Sequence, residues 1–493
     1  MGANSRGTVN FPRVSQVLDS RRDLVMLIRD KFRTEVANGP VLLVSGASRT
    51  KAYADIYKEL FLEAWSEVEV EHQSLERAPY LDEAETLASR TLASNRRPKL
   101  VVYVGGQTVG DITKVIVHRM REAFRHRKGK RGKVVFGGII TSVSNDGIFS
   151  VTASVLDDEG LPRSFPAEAP DFVVGHKLTL LRQPYPMKIS CVGDILSKIS
   201  SLWDYNYSCR ILDKYHNDFA ADLVKSAYEV PLRIGKITRK YLHDPDSIDA
   251  LYRAVQLCGL SMQLAGSSET CSGSEHVGQK WLDEYITRYN REPGIESKLP
   301  VLSHGEAVTL TSIITLYLQG QADLADQVKA IATEIGLRFT LEDLGLEGRV
   351  LQLCLAVGLG FRCPKYLSHL LGGQPLPKGD QDERITVLEE IELKGLPYAI
   401  QSAMIDSGVA KTKDFTDLTG IARITMNQVL ISSLQHTKGL IIEKMGEKFE
   451  KEMGIEKASE RAMEIADKVV TELEMLFHQL LPREARPHAL AHH

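Results

Sequence analysis

The first part of the chain alternates short apolar runs with segments of helical periodicity, and this pattern constrains the fold more than any other feature. Apolar runs predict buried strands, and apolar positions at threes and fours predict the helices between them. Strands that alternate with helices form a parallel sheet covered on both faces. The predicted strands are Val41–Val44, Val68–Glu71, Leu100–Val104 and Val134–Val143, with helices over Tyr53–Ala64, over Leu81–Leu92 and from about Asp111 onward. We therefore predict an α/β domain with a parallel sheet over residues 1–186.

From about residue 187 the pattern becomes purely helical. Apolar positions recur at threes and fours in Ile195–Leu202, Phe219–Tyr228, Ile248–Leu264 and Ala307–Leu318, which predicts an all-helical domain over residues 187–374. The segment Pro375–Asp382 has the composition of a linker. It opens a helical C-terminal extension, residues 375–493, whose apolar stripe is typical of a core or partner-helix surface. We expect this extension to mediate self-association into a homo-oligomer or to cap a ligand-binding cleft.

Composition and charge exclude several classes of protein. The 493 residues are 43% hydrophobic and 25% charged, and the net charge is −3, which is typical of a globular chain with two or three domains. Nothing in this balance favours a nucleic-acid or membrane partner, and we interpret the basic stretch 125–131 as a solvated loop. Six cysteines without CxxC spacing indicate reduced thiols. With no signal-peptide pattern and no apolar run of membrane length, we expect a cytoplasmic protein without a membrane span.

A glycine-rich segment, Gly105–Asp111, lies between a predicted buried strand and a predicted helix. Glycines in such a turn let the backbone approach a pyrophosphate, and the helix N-terminus offers unpaired N–H groups. The spacing differs from the common GxGxxG fingerprint. A tight turn that binds no ligand explains the segment equally well.

A second polar segment, Thr141–Ile148, directly follows a predicted strand. Ligands bind at the carboxyl edge of a parallel sheet, where hydroxyl and carboxylate side chains can contact a cofactor or substrate. Asp146 precedes Gly147, so this aspartate could instead bond to its own backbone in a turn.

Three further polar residues are candidate metal ligands, although they lie far apart in the sequence. They are Asp194 in the segment GDILS, His276 in SGSEH and His304 in SHGE. One carboxylate and two imidazoles suit Zn²⁺, Fe²⁺ or Ni²⁺ with a position left open for substrate. Each histidine could equally be a surface or capping residue.

Taken together, these motifs resemble a known family. The order GG…D, SxDGIxS, GDxLS, SGSEH and HGE is similar to that of the sn-glycerol-1-phosphate dehydrogenases, which belong with the iron-containing alcohol dehydrogenases and are related to the dehydroquinate synthases. The resemblance covers roughly residues 20–370. It implies a metal-dependent dehydrogenase that uses NAD or NADP and one divalent metal, Zn²⁺ or alternatively Fe²⁺ or Ni²⁺.

The resemblance also assigns roles to individual residues. The metal would be held by Asp194, His276 and His304, and Asp146 would contact a ketone or alcohol substrate. The substrate would be phosphorylated or polyhydroxylated, with dihydroxyacetone phosphate and sn-glycerol 1-phosphate as the expected pair. The metal would polarise the ketone oxygen while the nicotinamide delivers hydride. The residues expected to contact the cofactor are Gly105, Gly106, Gln107, Thr108, Val109, Thr141, Ser144 and Ser150.

Three positions depart from the family pattern. Gln107 replaces a glycine, Asn145 stands where histidine is common, and Lys280 stands where many members have a second histidine. We expect Lys280 to pair with an anionic group on the substrate and count it, with Asp146 and Asp194, among the candidate catalytic residues.

Two other functions fit the same motifs. One is a redox-neutral, NAD-dependent sugar-phosphate cyclase of the dehydroquinate synthase type, which would leave the NAD(P)H concentration unchanged. The other is a non-catalytic scaffold on the same fold. A buried Asp–His–His set speaks against the scaffold, because such a set is costly to keep without a ligand.

Overall fold

The computed structural model describes residues 12–36, 39–77, 79–94, 97–128, 134–211, 215–234, 237–291, 293, 298–346 and 403–410, with six positions between 459 and 471. The predicted linker and nearly all of the predicted C-terminal extension lie outside the described residues. None of the helices in the described part of the chain combines the length and the apolar character that crossing a membrane requires.

The described residues form eight strands and eleven α-helices. The strands are β1 (Val14–Leu18), β2 (Val41–Gly46), β3 (Val70–Leu75), β4 (Leu100–Gly105), β5 (Val135–Ile140), β6 (Thr152–Leu156), β7 (Pro162–Pro166) and β8 (Phe172–His176). The helices are α1 (Arg21–Val36), α2 (Arg49–Ala64), α3 (Leu81–Ala93), α4 (Gln107–Lys128), α5 (Lys177–Leu181), α6 (Tyr185–Ile211), α7 (Asp218–Ile234), α8 (Pro245–Ala265), α9 (Ser274–Tyr289), α10 (His304–Leu318) and α11 (Ala322–Ile335).

The chain divides into two compact units. The first, here called the sheet unit, comprises the described residues of Met1–Lys198, Asn217–Cys271 and Glu334–Leu337. The second, here called the helical unit, comprises those of Ile199–His216, Ser272–Thr333 and Arg338–His493. The boundaries predicted at residues 187 and 375 stay predictions.

Six parallel strands form the sheet, in the order β1-β8-β5-β4-β2-β3. Strands β4 and β5 are buried along their whole length, as parallel strands covered on both faces must be. They are neighbours, with Gly105 opposite Ile140, so their carboxyl ends meet at one edge. The predicted α/β architecture with following helices is confirmed.

The structure differs from the predicted elements in several places. Strands β6, β7 and β8 and helices α1 and α5 were not predicted, and β5 ends at Ile140 rather than at Val143. Strand β1, which pairs with β8, was not predicted because its sequence VSQVL carries two polar residues within five. Strand β3 begins two residues later than predicted and continues into a polar, partly exposed stretch. Helix α4 begins at Gln107 rather than near Asp111, because a single residue, Gly106, separates it from β4.

Two glycines in β5 make room for aromatic side chains of the neighbouring strands. A Cβ atom on Gly137 would lie 2.4 Å from Cδ1 of Phe172, and one on Gly138 would lie 2.0 Å from Cζ of Tyr103. Both aromatic rings are fully buried. The centre of the sheet therefore depends on the absence of side chains at two consecutive positions.

Several helices begin with side-chain caps. The Asp244 carboxylate accepts a hydrogen bond from the N–H of Asp246 at the start of α8, which ends on Gly266 with φ of 70°. At the start of α10, Ser303 and Glu306 form a reciprocal capping box, a device that satisfies two otherwise unpaired donors. The described chain from Tyr185 to Ile335 is helical, as predicted.

Candidate active site

The two predicted cofactor-binding segments lie against each other at the carboxyl edge of the sheet. The N–H of Thr141 donates to the carbonyl of Gly105 at 3.0 Å, which joins the ends of β4 and β5. A Cβ atom on Gly106 would lie 2.7 Å from Oγ of Ser142, and one on Gly147 would lie 2.0 Å from Nε2 of Gln107. The two segments therefore approach closely at Gly106 and Gly147, where an added side chain would displace Ser142 or Gln107.

Helix α4 starts at this edge and presents its N-terminus there. The first N–H groups of a helix lack intrahelical partners and carry the positive end of the dipole, so they suit a phosphate group. Gly106 and Gln107 are half-buried and Thr108 is exposed, whereas Val109 is buried. Thr141 and Ser144, from the facing segment, are also half-buried.

Ser150 lies deeper than the other predicted cofactor residues. Its hydroxyl is within hydrogen-bonding distance of the carbonyls of Gly147 and Thr152, at 2.9 and 2.7 Å. The Nζ atom of Lys114 lies 3.1 Å from this hydroxyl, 2.6 Å from the Gly147 carbonyl and 2.9 Å from Oδ1 of Asp111. The buried Lys114 thus ties the Asp146–Phe149 turn to α4, and Ser150 is part of that contact.

A second buried lysine joins Asp146 to Asp194. The Nζ atom of Lys198 lies 2.9 Å from Oδ2 of Asp146, 2.7 Å from Oδ1 of Asp194 and 3.0 Å from the carbonyl of Cys271. The N–H of Asp146 donates to the other oxygen of Asp194 at 2.9 Å. The predicted substrate contact and the predicted metal ligand in the sheet unit are therefore held together by one cation and one backbone hydrogen bond.

Electrostatics keep this lysine charged. Burial alone lowers the pKa of Lys198, but the adjacent Asp146 and Asp194 carboxylates outweigh burial, so the pKa lies well above its usual value. The side chains of Lys198 and Asp194 are fully buried. The two carboxylates therefore favour the charged form of this buried lysine.

The two predicted ligand histidines lie next to each other in the helical unit. His276 is in the first turn of α9 and His304 is the first residue of α10. Their ring centroids are 5.2 Å apart, with 52° between the ring planes, and one nitrogen of each ring lies within 4.8 Å of the other. Such a separation is compatible with two imidazoles that share one metal ion.

Glu275 contacts His276 from behind. Its Oε1 atom lies 2.6 Å from Nδ1 of His276 and accepts a hydrogen bond from the N–H of Gly273 at 2.8 Å. Ser200 Oγ donates to the other carboxylate oxygen at 3.1 Å. Burial raises the pKa of Glu275. The hydrogen bond with His276 and the electrostatic interaction with its ring outweigh burial, so the pKa is lowered.

Asp204 lies in the same buried polar network of the helical unit. Its Oδ2 atom accepts hydrogen bonds from N and Oγ of Ser274, both at 2.7 Å, and Gln319 donates to Oδ1 at 2.9 Å. Burial and the nearby negative charge of Glu275 raise the pKa of Asp204 to about 7. The segment that carries His276 is therefore anchored by two acidic residues.

The structure places the remaining predicted residues as follows. Asp194 belongs to the sheet unit, whereas His276, His304 and Lys280 belong to the helical unit. Lys280 is half-buried on α9, one helical turn after His276. The joint action of these residues stays a prediction.

Sequence reasoning missed Lys114, Lys198 and Glu275. Lys198 follows Asp194 by four positions on α6, a spacing that places two side chains on one helix face. An acid and a base at that spacing in an apolar stretch were the available signal. Glu275 lies within the SGSEH motif, next to a predicted ligand.

Comparison with known proteins bears on the family. Residues 25–176 match the family model described as iron-containing alcohol dehydrogenase. A curated glycerol-1-phosphate dehydrogenase (NAD(P)+) of Pyrobaculum arsenaticum is 27% identical over 327 residues, which are 66% of this chain and 84% of that protein. The chain is related to the iron-containing alcohol dehydrogenases. A protein of the same name from Pyrococcus furiosus is 26% identical over 67% of this chain and 85% of its own length. These matches confirm the family resemblance that the motifs indicated.

Solved structures agree on the fold. A glycerol dehydrogenase from Schizosaccharomyces pombe superposes with a TM-score of 0.54 and 13% identity, over 81% of this chain and 91% of that one. Maleylacetate reductase from Agrobacterium tumefaciens gives a TM-score of 0.52 and 13% identity, over 79% and 95% of the two chains.

Proposed function

We propose that this chain is a metal-dependent, NAD(P)-linked dehydrogenase that reversibly reduces a small phosphorylated or polyhydroxy ketone. The expected reaction interconverts dihydroxyacetone phosphate and sn-glycerol 1-phosphate, and the similar proteins of Pyrobaculum arsenaticum and Pyrococcus furiosus are named glycerol-1-phosphate dehydrogenases. The observation that carries the proposal is the adjacency of His276 and His304, two residues distant in sequence whose rings lie 5.2 Å apart.

We propose that the dinucleotide binds at the carboxyl edge of the sheet, where β4 ends and α4 begins. Gly106 has no side chain, so a pyrophosphate can approach its backbone and the N-terminus of α4. Thr141 and Ser144 supply hydroxyls from the neighbouring segment. The side-chain amide of Gln107 packs against Gly147 and donates a hydrogen bond to Asp111 at 3.1 Å. The side chain therefore does not extend across the turn between β4 and α4.

The donor set suits a divalent metal. We propose that Asp194, His276 and His304 are its ligands. The hydrogen bond between Nδ1 of His276 and Glu275 leaves Nε2 of that ring for coordination, which fits a neutral imidazole ligand. A divalent ion bound there would supply Lewis-acid polarisation of a carbonyl group, and the nicotinamide would supply the hydride.

The protein's own residues would orient the substrate. Asp146 is buried, and its ion pair with Lys198 fixes the carboxylate, so it can accept a hydrogen bond from a substrate hydroxyl in one defined direction. Lys280 would pair with the phosphate or carboxylate of the substrate. Holding the reacting groups in register supports hydride transfer, because orientation removes much of the entropic barrier.

A spectrophotometric assay tests this function. Metal-loaded protein is mixed with NADH or NADPH and dihydroxyacetone phosphate, and absorbance of the reduced nicotinamide is followed. We expect net oxidation that His276→Ala abolishes. His243→Ala is the matched control, because His243 stacks on Tyr185 outside the proposed site and its loss should leave activity in place.

Two results would contradict the proposal. If metal and cofactor bind but no ketone oxidises the nicotinamide, a redox-neutral cyclase becomes the better explanation. If His276→Ala remains fully active, the metal site is assigned to the wrong residues.

A further inference from the structure

Glu275 occupies a position from which it controls the orientation of a proposed metal ligand. Resting on the metal site proposed above, we infer that Glu275 is a positioning residue that fixes the ring and the tautomer of His276 for metal binding. Its carboxylate lies 2.6 Å from Nδ1 of His276. A carboxylate in that place holds the proton on Nδ1 and leaves Nε2 as the ligand atom, the arrangement found behind many metal-bound imidazoles.

Glu275 is itself held on every side by described residues of the helical unit. It is fully buried, the N–H of Gly273 donates to Oε1 at 2.8 Å, and Ser200 donates to Oε2 at 3.1 Å. Ser200 is in turn 3.1 Å from the hydroxyl of Ser312. The backbone carbonyl of Glu275 accepts a hydrogen bond from Thr311 at 2.7 Å, which ties the residue to α10, the helix that begins with His304.

The free-energy cost of burying the Glu275 carboxylate supports a functional role for it. A fully buried carboxylate is expensive unless charges and hydrogen bonds compensate for its lost hydration. An acidic residue in the first turn of a helix stabilises that helix from an exposed position just as well. Stabilisation of the N-terminus of α9 therefore does not explain why Glu275 is buried and contacts the imidazole.

Glu306 provides an internal comparison. It also lies in the first turn of a helix, two residues after His304, but its carboxylate bonds to Ser303 and to Arg338. That carboxylate serves as a helix cap. Loss of a cap lowers stability, whereas loss of a positioning carboxylate lowers metal affinity.

The experiment measures Zn²⁺ affinity of the full chain by competition with a chromophoric chelator at fixed pH. We expect Glu275→Gln to weaken binding by about 10- to 100-fold, as removal of such partners typically does. Ser200→Ala, which removes one support of Glu275, should weaken binding less. Glu306→Gln should lower the unfolding temperature of the metal-free protein and leave Zn²⁺ affinity unchanged.

A second measurement follows the imidazole directly. In metal-free protein with ¹⁵N-labelled histidine, the His276 signals of the wild type should report a proton on Nδ1, and those of Glu275→Gln should shift. A change in tautomer, with the proton moved from Nδ1 to Nε2 in Glu275→Gln, would support the role, and a proton that stays fully on Nδ1 would contradict it.

The outcomes distinguish an error in the role of Glu275 from an error in the proposed metal site. If Glu275→Gln binds Zn²⁺ as tightly as the wild type while His276→Ala does not, the role of Glu275 is wrong and the metal site stands. If His276→Ala also binds as tightly as the wild type, the proposed metal site itself is wrong.

Discussion

The ammonium group of Lys198 lies 2.7 Å from Oδ1 of Asp194, one helical turn away on α6, and both side chains are fully buried. The same ammonium group is 2.9 Å from Oδ2 of Asp146. One ammonium group therefore pairs with both the carboxylate proposed to bind metal and the carboxylate proposed to bind substrate. The positions of both carboxylates therefore depend on Lys198.

Replacing Lys198 by Met should be severely destabilising. Removal of one partner from a buried ion pair leaves an uncompensated charge and typically costs about 3–5 kcal/mol. The measurement is the free energy of unfolding of metal-free protein in urea. Lys177→Met is the control, because the Lys177–Asp249 pair is partly exposed and such pairs contribute less than about 1 kcal/mol. Equal losses in the two variants would contradict the prediction.

Removing the hydroxyl of Tyr103 should stabilise the protein. This hydroxyl is buried with no hydrogen-bond partner among the described residues, and such a group costs about 1–3 kcal/mol. Tyr103→Phe keeps the ring against Gly138 and deletes the unpaired oxygen. Differential scanning calorimetry should show a higher unfolding temperature. A lower one would mean that the hydroxyl is hydrogen-bonded after all.

The buried Asp204 should make stability depend on pH. Burial and Glu275 raise the pKa of Asp204 from 3.8 to about 7 in the folded state. The folded protein then binds this proton more tightly than the unfolded chain, so the stability that Asp204 contributes is complete below pH 4 and is lost as pH rises through 7. Three pKa units correspond to a change on the order of 4 kcal/mol.

Asp204→Asn isolates this effect, because the amide does not titrate. The difference in free energy of unfolding between wild type and variant should shrink from pH 4 to pH 7. A difference that is constant across this range would show that the carboxyl group is already ionised at pH 4.

A methyl group at Gly106 should weaken cofactor binding. If a pyrophosphate binds at the N-terminus of α4 as proposed, the new Cβ in Gly106→Ala would hinder its approach to the backbone, and each hydrogen bond lost to a charged group costs about 1.5–3 kcal/mol. The dissociation constant of NADPH, measured by nicotinamide fluorescence, should rise about tenfold or more.

The double variant Gly106→Ala, Ser142→Ala tests the cause. The added Cβ would lie 2.7 Å from Oγ of Ser142, so the second substitution relieves that clash and should restore stability. It should not restore NADPH affinity. Recovery of both would show that Ser142, rather than the space at Gly106, limits binding.

Strands β2, β4 and β5 could be predicted because they are almost entirely apolar, whereas the equally buried β8 was not predicted. Burial on both faces leaves a continuous run such as Leu100–Val104, and this run fixes the type of sheet. The contact between Gly106 and the segment after β5 follows from parallel topology, since neighbouring strands end at one edge. Strand β1 carried no such run, and its partner β8 lies far downstream.

The buried ion pairs could not be predicted from the sequence. A lysine such as Lys114 or Lys198 is normally solvated, and only the folded structure shows that carboxylates and carbonyls surround it. The same holds for Glu275, whose role depends on the position of a neighbouring ring. The four-residue spacing of Asp194 and Lys198 indicates that the two side chains share a helix face, but only the tertiary contacts show that this face is buried.

The pairing of β1 with β8 has a consequence for the order in which the chain can fold during synthesis. Strand β1 precedes all other described strands, yet its hydrogen-bonding partner in the sheet is β8, whose residues Phe172–His176 are made much later. Strands β2 to β5 can associate without either of them. On the ribosome, the sheet edge that carries Gly105 and Thr141 can therefore form before β8 is synthesised and pairs with β1. Non-local strand pairing of this kind is a slow step of sheet assembly.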